Sequence, residues 1–328
     1  MPTEIQDMAE ARSAARAAAD WDEADRLRTE IEGAGWKVVD AGTSFRLSRA
    51  TPADVVESGR VRYGASSSVP SRLGEPAAVA ATVILRATDH PDDVDRALAG
   101  LRAHAPAGTH TVVVADAPSR SQSERLEDPS SPGLGPIGGI DLECVWMATR
   151  LGDAGAFNAG MRRARAAVVI LLDARVEPVG DAVSPLVRAL DDPTVAVAGA
   201  WGSSTPDLRR FTAAPPGDVA VIDGGVLAFR RDDVLARGPL DEAFRTGRHL
   251  EAWWSLVLRD AGEGTAPRRA IRLADLALVR HDRPDDDGFG PGERSRLDKR
   301  AFYRLVDRFG RRQDLIVVSE GAPGPMGA

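Results

Sequence analysis

Apolar residues recur along this chain with two different periods, and the alternation between them outlines a fold. From residue 80 onward, short apolar runs predict strands and apolar positions three or four apart predict helices. Thr82–Leu85 and Thr111–Val114 are predicted strands, and between them Pro91–His104 is a predicted helix with Val94, Leu98 and Leu101 on one face. Strand, helix, strand at this spacing is a βαβ unit, which implies a parallel sheet and a right-handed crossover. The rhythm continues through a strand at Asp141–Met147, a small-residue helix at Gly152–Ala166 and a strand at Ala167–Leu172, then once more at Asp181–Leu190 and Val195–Ala198. A doubly wound sheet is therefore expected over residues 80–200. The Ser-, Pro- and Gly-rich stretch 117–139 interrupts it as a long surface loop.

The flanks read differently. Ala24, Leu27 and Ile31 fall at helical spacing, Gly33 and Gly35 stop that helix, and Trp36–Asp40 follows as a short strand; Glu4–Ala19 is an Ala-rich partner helix. Residues 1–48 thus form a helical hairpin with a β-hairpin, and residues 49–79, with Pro52, Gly59, Ser66–Ser68 and Pro70, read as a linker. The second half of the main unit, which extends over residues 80–312, is less regular. Val219–Ile222 is a short strand, Gly224-Gly225 a close backbone approach, and Arg231–Ala236 and His249–Ala261 are helices. Strand-like pieces at Ile271–Leu273 and Leu276–Val279 lead to His281, and an acidic loop with Asp285–Asp287 precedes a helix at Glu293–Phe309. Residues 313–328 form a tail.

Composition narrows the function classes. The chain has 328 residues, a net charge of −7 and a pI near 5.4. This balance argues against binding a phosphate backbone, so nucleic acid is not an expected principal partner. The first residues lack the basic start and apolar centre of a secretion signal, and no apolar run has the length of a membrane span, so a soluble, cytoplasmic protein is expected. The single cysteine, Cys144, lies in an apolar run and reads as a small buried hydrophobe.

Chemistry concentrates where the strand Ala167–Leu172 ends on Asp173. In open α/β sheets the carboxyl ends of strands line the ligand crevice. Two residues on, where a second acid would complete a clamp for a divalent metal, stands Arg175.

The order of motifs resembles family 2 glycosyltransferases over about residues 80–312. Four pieces carry the resemblance: Thr82–Leu101, Val112–Asp116, Arg150–Pro178, and Asp223-Gly224-Gly225 through Phe229-Arg230-Arg231 with Leu240-Asp241-Glu242-Ala243-Phe244 after it. It implies an α/β fold of GT-A type, a Rossmann-like mixed sheet with helices on both faces. The implied activity is transfer of a sugar from a nucleotide diphosphate donor to an acceptor hydroxyl that the sequence leaves open. Separately, Asp20–Arg28 with Gly35–Asp40 resembles the small carboxy-terminal helical module of cysteinyl-tRNA synthetases. In a chain of this charge, that unit reads as a protein-interaction appendage rather than a tRNA contact.

Carried over position by position, the resemblance makes Asp89, in the altered loop Arg86–His90, and Asp116, at the second strand's end, candidate donor contacts. Asp116 has an Asx turn as its ordinary reading. Asn158 falls in the family's small-residue helix and is a further donor candidate, with tight helix packing as its plain role. Gly224 and Gly225 join them. Asp173-Ala174-Arg175 occupies the place of Asp-x-Asp, which in the family holds Mg²⁺ or Mn²⁺ against the diphosphate. With one carboxylate beside a guanidinium, the metal site is degenerate, and Mn²⁺ or Mg²⁺ is expected to bind weakly or not at all. Arg175 then either pairs with the diphosphate itself or closes on Asp173. His281 is the remaining candidate for metal or diphosphate contact.

Inverting members use a carboxylate at a helix start as general base. Counting back from Ala261-Gly262 places Glu251 there, with Leu250 in place of the preceding acid; an ordinary first-turn acid is the competing reading. Trp253 and Trp254 are candidates for stacking an acceptor sugar, although neighbouring helical residues face different ways. Two functions follow: an inverting glycosyltransferase, or a catalytically silent relative that binds a nucleotide sugar or serves as a scaffold. Nucleotidyl transfer needs a Gly-rich, Lys-bearing loop after the first strand, and Arg86–Pro91 has neither residue.

Overall fold

The computed structural model describes residues 2–41, 44–57, 59–128, 141–262, 264–283 and 289–318. The chain divides into two compact units, Met1–Val55 and Val56–Ala328. In the first, helices α1 (Thr3–Ala17) and α2 (Trp21–Gly33) precede an antiparallel hairpin of β1 (Trp36–Ala41) and β2 (Ser44–Arg49). Asp20 starts α2 by accepting the Glu23 amide at 3.1 Å, and Ile5, Ala9 and Ile31 form the small core. Beyond the hairpin, β3 (Val55–Glu57) pairs with β4 (Arg60–Arg62). Within the stretch read as a linker, Tyr63 bridges to Met147 and Val69 is fully buried.

The second unit is built on β5 (Val79–Ala87), α3 (Pro91–His104), β6 (His110–Asp116), α4 (Arg120–Glu127), β7 (Asp141–Met147), α5 (Asp153–Met161) and β8 (Ala166–Leu172). Then follow β9 (Val176–Pro178), α6 (Val183–Ala189), β10 (Val195–Ser204), β11 (Thr212–Ala213), β12 (Gly217–Val219) and β13 (Val221–Arg230). The unit is completed by α7 (Arg231–Arg237), α8 (Leu250–Arg259), β14 (Arg269–Arg272), β15 (Leu278–Arg280) and α9 (Pro291–Phe309). Across the main sheet the order is β12-β14-β10-β13-β8-β5-β6-β7, with β11 on β10. Strands β7, β6, β5 and β8 run parallel, and β13 runs antiparallel to both of its neighbours, β8 and β10. The sheet is therefore mixed, as the α/β, GT-A expectation requires.

Alternation along β5 explains the layers. Val83 and Leu85 face the core under α3 and α6, whereas Ile84 faces the core that holds Trp253, Trp254 and Leu305 from α8 and α9. Helices accordingly cover both faces. Gly160 of α5 sits so close to the sheet that a Cβ there would come within 2.3 Å of Ile84, which accounts for the small residues of this helix.

The structure departs from the sequence reading in three places. The strand expected at Val219–Ile222 is divided at Ala220 between β12 and β13, and β13 runs on through Gly224-Gly225 to Arg230, because it is inserted between two strands and its ladder to β8 runs from Val226–Leu172 to Arg230–Val168. The helix expected to reach Ala166 stops at Met161, since the chain turns over residues 162–165 to enter β8. Part of the expected loop is α4, which Ser119 starts by accepting the Gln122 amide at 3.3 Å. The rest of that loop, residues 129–140, and the run Asp285–Asp287 lie outside the described residues.

Candidate active site

The chain runs from β5 to β6 and β7 on one side and returns to β8 on the other. Such a reversal opens a crevice at the strands' carboxyl ends. A cavity of about 480 Å³ lies there, lined by Arg86 at the end of β5, Asp173 and Arg175 after β8, Gly224 and Gly225 of β13, and Glu251 in the first turn of α8.

Backbone geometry draws the two acids together. Gly225 donates its amide to Glu251 Oε1 at 2.9 Å, and its carbonyl accepts the Asp173 amide at 2.8 Å. Gly225 has φ +100° and a Cβ there would lie 2.8 Å from the Asp173 Cβ, so only glycine fits. Gly224, at φ +82°, packs its backbone on the Trp201 ring. Burial, helped by the nearby Asp173 and Asp223 carboxylates, pushes the Glu251 carboxyl up to about 8 against the opposing Gly225 amide. Asp223, which accepts from Ser203 Oγ, is also raised by burial.

Asp173 behaves oppositely. Burial would raise it, but the Arg175 guanidinium outweighs burial and holds the carboxyl below the usual carboxylate range. Arg175 Nη2 lies 2.7 Å from Oδ2, Nε contacts both oxygens at 3.1 and 3.2 Å, and the Arg175 amide donates to Oδ1 at 2.9 Å. Both Asp173 oxygens are thus engaged by one residue. Among the described residues no three His, Cys, Asp or Glu side chains are grouped to hold a metal ion. A hard divalent cation needs several oxygen ligands, and at the Asp-x-Asp position the one carboxylate present has both oxygens engaged by Arg175.

Other cations and acids line the cavity that sequence reasoning had not picked out. Arg86 donates to Asp116 Oδ2 at 2.8 Å and to Asp153 Oδ1 at 2.7 Å. Burial raises Asp153 above the ordinary range despite that guanidinium. Arg280 reaches the Gly224 carbonyl at 3.2 Å, and Arg283 pairs with Asp93 at 2.6 Å. The only available signal for Arg86 was its place in the altered loop, and Arg280 was signalled only by adjacency to His281.

Several expected site residues serve the scaffold. Asp116 is fully buried and accepts the Leu151 and Gly152 amides at 2.6 and 3.1 Å, fastening β6 to the turn before α5. Asp89 takes the Ser119 amide at 3.1 Å and Arg150 at 2.8 Å. Asn158 exchanges hydrogen bonds with both backbone groups of Leu240 and donates to Glu242 at 2.9 Å. His281 Nε2 is 2.7 Å from Glu177 Oε2. None of these four lines the cavity. Of the two tryptophans expected to stack an acceptor sugar, Trp253 packs in the core, 5.0 Å from the Phe244 ring and 5.4 Å from Phe309. Trp254 reaches the cavity wall but is almost wholly buried edge-on against Phe229, leaving no open ring face. Cys144, expected to be buried, is half-buried in β7, and desolvation pushes its thiol up to about 12, which disfavours the nucleophilic thiolate.

Comparison with known proteins agrees with this architecture. The sequence profile of glycosyl transferase family 2 matches residues 82–231. No curated protein sequence matches significantly. Among solved structures, GalNAc-T7 with UDP, GalNAc and Mn²⁺ superposes with a TM-score of 0.53 at 13% identity, over 81% of this chain and 52% of its own. This chain thus spans about half the length of GalNAc-T7. The mannosyltransferase PcManGT of Pyrobaculum calidifontis, solved with GDP-Man and Mn²⁺, is 20% identical over 74% of this chain and 72% of its own, at a TM-score of 0.48. No helix among the described residues is long and apolar enough to cross a membrane. Sheet order and the likeness to GalNAc-T7 show a mixed α/β fold of GT-A type, and within it residues 82–231 are similar to glycosyl transferase family 2.

Proposed function

We propose that this protein is an inverting glycosyltransferase that uses a nucleotide diphosphate sugar and holds the diphosphate with arginines in place of a divalent metal. The observation that carries the reading is the convergence of Glu251 and Asp173 on Gly225 within one arginine-lined cavity. In the reaction, the ionised Glu251 carboxylate takes the proton of an acceptor hydroxyl. The acceptor oxygen bonds to the anomeric carbon from the face opposite the donor, and the bond from that carbon to the diphosphate oxygen breaks with its electron pair leaving on the diphosphate. Arg175, Arg280 and Arg283 stand on the cavity to balance that charge. Asp173 orients Arg175, so its role becomes positioning. The known neighbours were solved with GDP-Man or with UDP and GalNAc, which makes UDP- and GDP-sugars the first donors to try.

A second reading has its own support. Arg175 closed on Asp173, together with a Glu251 that is largely protonated at neutral pH, suits a silent relative that binds a nucleotide sugar without turning it over. For residues 1–48 the proposed role remains a protein-interaction appendage, consistent with the net charge of −7. The deciding experiment is a panel of nucleotide sugars in a thermal-shift assay, with Mn²⁺ and with chelator, followed by donor hydrolysis. Stabilisation and turnover in chelator support the enzyme; stabilisation without turnover supports the silent relative. Absence of stabilisation by any nucleotide sugar at millimolar concentration removes the basis of both.

A further inference from the structure

A second cleft, about 630 Å³, adjoins the cavity and shares Arg248, Arg294 and Asp298 with it. One face of α9 forms its wall, since Pro291, Arg294, Ser295, Asp298, Lys299 and Phe302 recur at helical spacing. Arg209 and His249 complete it. Four arginine or lysine side chains therefore meet one carboxylate, Asp298, which is itself engaged by Thr246 Oγ1 at 2.8 Å and Arg248 at 3.6 Å. This concentration of positive charge stands against a chain of net charge −7. The cleft also offers an apolar surface: the His249 ring lies 5.7 Å from the Phe302 ring. His249 of the cleft stands two residues before Glu251, and Glu251 lines the adjoining cavity with which the cleft shares Arg248, Arg294 and Asp298.

We propose that this cleft is the acceptor site and that the acceptor is an anionic sugar or polyol, carrying a phosphate or carboxylate that the α9 cations hold while its hydroxyl reaches Glu251. The inference rests on the transferase reading above. Cations at the cleft would recognise the anion, and the ring pair would take the apolar face of the sugar.

Glucose, glucose 6-phosphate and glucuronate, titrated calorimetrically into the full chain alone and with UDP or GDP, test it. Both anionic sugars are expected to bind at least tenfold tighter than glucose, without displacement by the nucleotide. Phosphate is the favoured group if glucose 6-phosphate binds tighter, and carboxylate if glucuronate does; either order supports the assignment. The double variant Arg209→Gln, Lys299→Gln, altered only in the second cleft, should lose about tenfold in affinity for the anionic sugar while nucleotide affinity confirms an intact donor side. Equal binding of glucose, unchanged binding by the double variant, or displacement of the sugar phosphate by nucleotide would each overturn the proposal. A chain that binds anionic sugars but no nucleoside diphosphate loses the transferase reading and keeps the anion cleft.

Discussion

Glu251 and Gly225 are joined by a hydrogen bond, 2.9 Å from the glycine amide to Oε1, and through it a side chain of α8 is indexed to β13, whose Gly225 carbonyl in turn accepts the Asp173 amide. Because the carboxyl sits near 8, proton acceptance is limited by its ionised fraction at neutral pH. The expected rate of transfer, measured as kcat/KM against pH, rises through neutrality and levels off above about pH 8. Glu251→Gln should lose roughly 10²- to 10⁴-fold in turnover with nucleotide binding retained. Turnover in Glu251→Gln equal to that of the unaltered protein would remove Glu251 from the mechanism.

The same group leaves a mark on stability. Its folded-state pKa is raised from 4.5 to about 8, so the unfolded chain gives up the proton first. The contribution to stability is complete below about 4.5 and disappears as pH climbs through 8. Glu251→Gln is therefore expected to melt higher than the unaltered protein at pH 8, by an amount on the order of 1–3 kcal/mol, with the gap closing toward pH 4.5. Calorimetric melting at several pH values reads this directly, and a gap that widens on acidification contradicts it.

Gly225→Ala places a methyl group 2.8 Å from the Asp173 Cβ at a φ of +100°. A loss of about 1–3 kcal/mol is expected in urea unfolding. Nucleotide affinity should fall as well, since the shift moves Asp173 and with it Arg175.

Arg175→Asp restores a pair of acids two residues apart and frees Asp173 from its guanidinium. Without metal, affinity for a nucleoside diphosphate should fall about tenfold, the loss of one charge-assisted contact. Added Mn²⁺ should recover it in the variant and leave the unaltered protein unmoved. Equal metal response in both would show that Arg175 does not replace the cation.

Asn158→Ala strands the amide and carbonyl of Leu240 in a buried setting. The expected cost is about 2–4 kcal/mol by chemical denaturation. Nucleotide affinity in the folded fraction should hold, because Asn158 does not line the cavity.

How much of this was written in the chain varies with the range of the interactions. The limits of α3 and β7 match their expected residues, because proline, apolar spacing and flanking polar residues act locally. Strand β13 was read short because a glycine pair resembles a turn; only the flanking β10 and β8 carry it through as a strand. Asp173, Arg175, Glu251 and the glycines were found by motif and do share one cavity. Arg86, Asp153, Arg280 and Arg283 were missed since nothing local distinguishes an arginine that turns inward from one in solvent. The burial of Trp253 and Trp254 was hidden for a related reason: a helix start near a site says little about which side of the helix the rings take.

Strand β13 occupies the middle of the sheet although it is made after both of its neighbours. During synthesis, β8 with its run Val168–Leu172 must emerge and wait with one edge open until residues up to Arg230 have left the ribosome. An apolar strand with an unpaired edge is a template for pairing with another chain. Yield in cells should therefore depend on translation speed and chaperone supply across residues 173–230, and truncations ending before β13 should aggregate rather than fold.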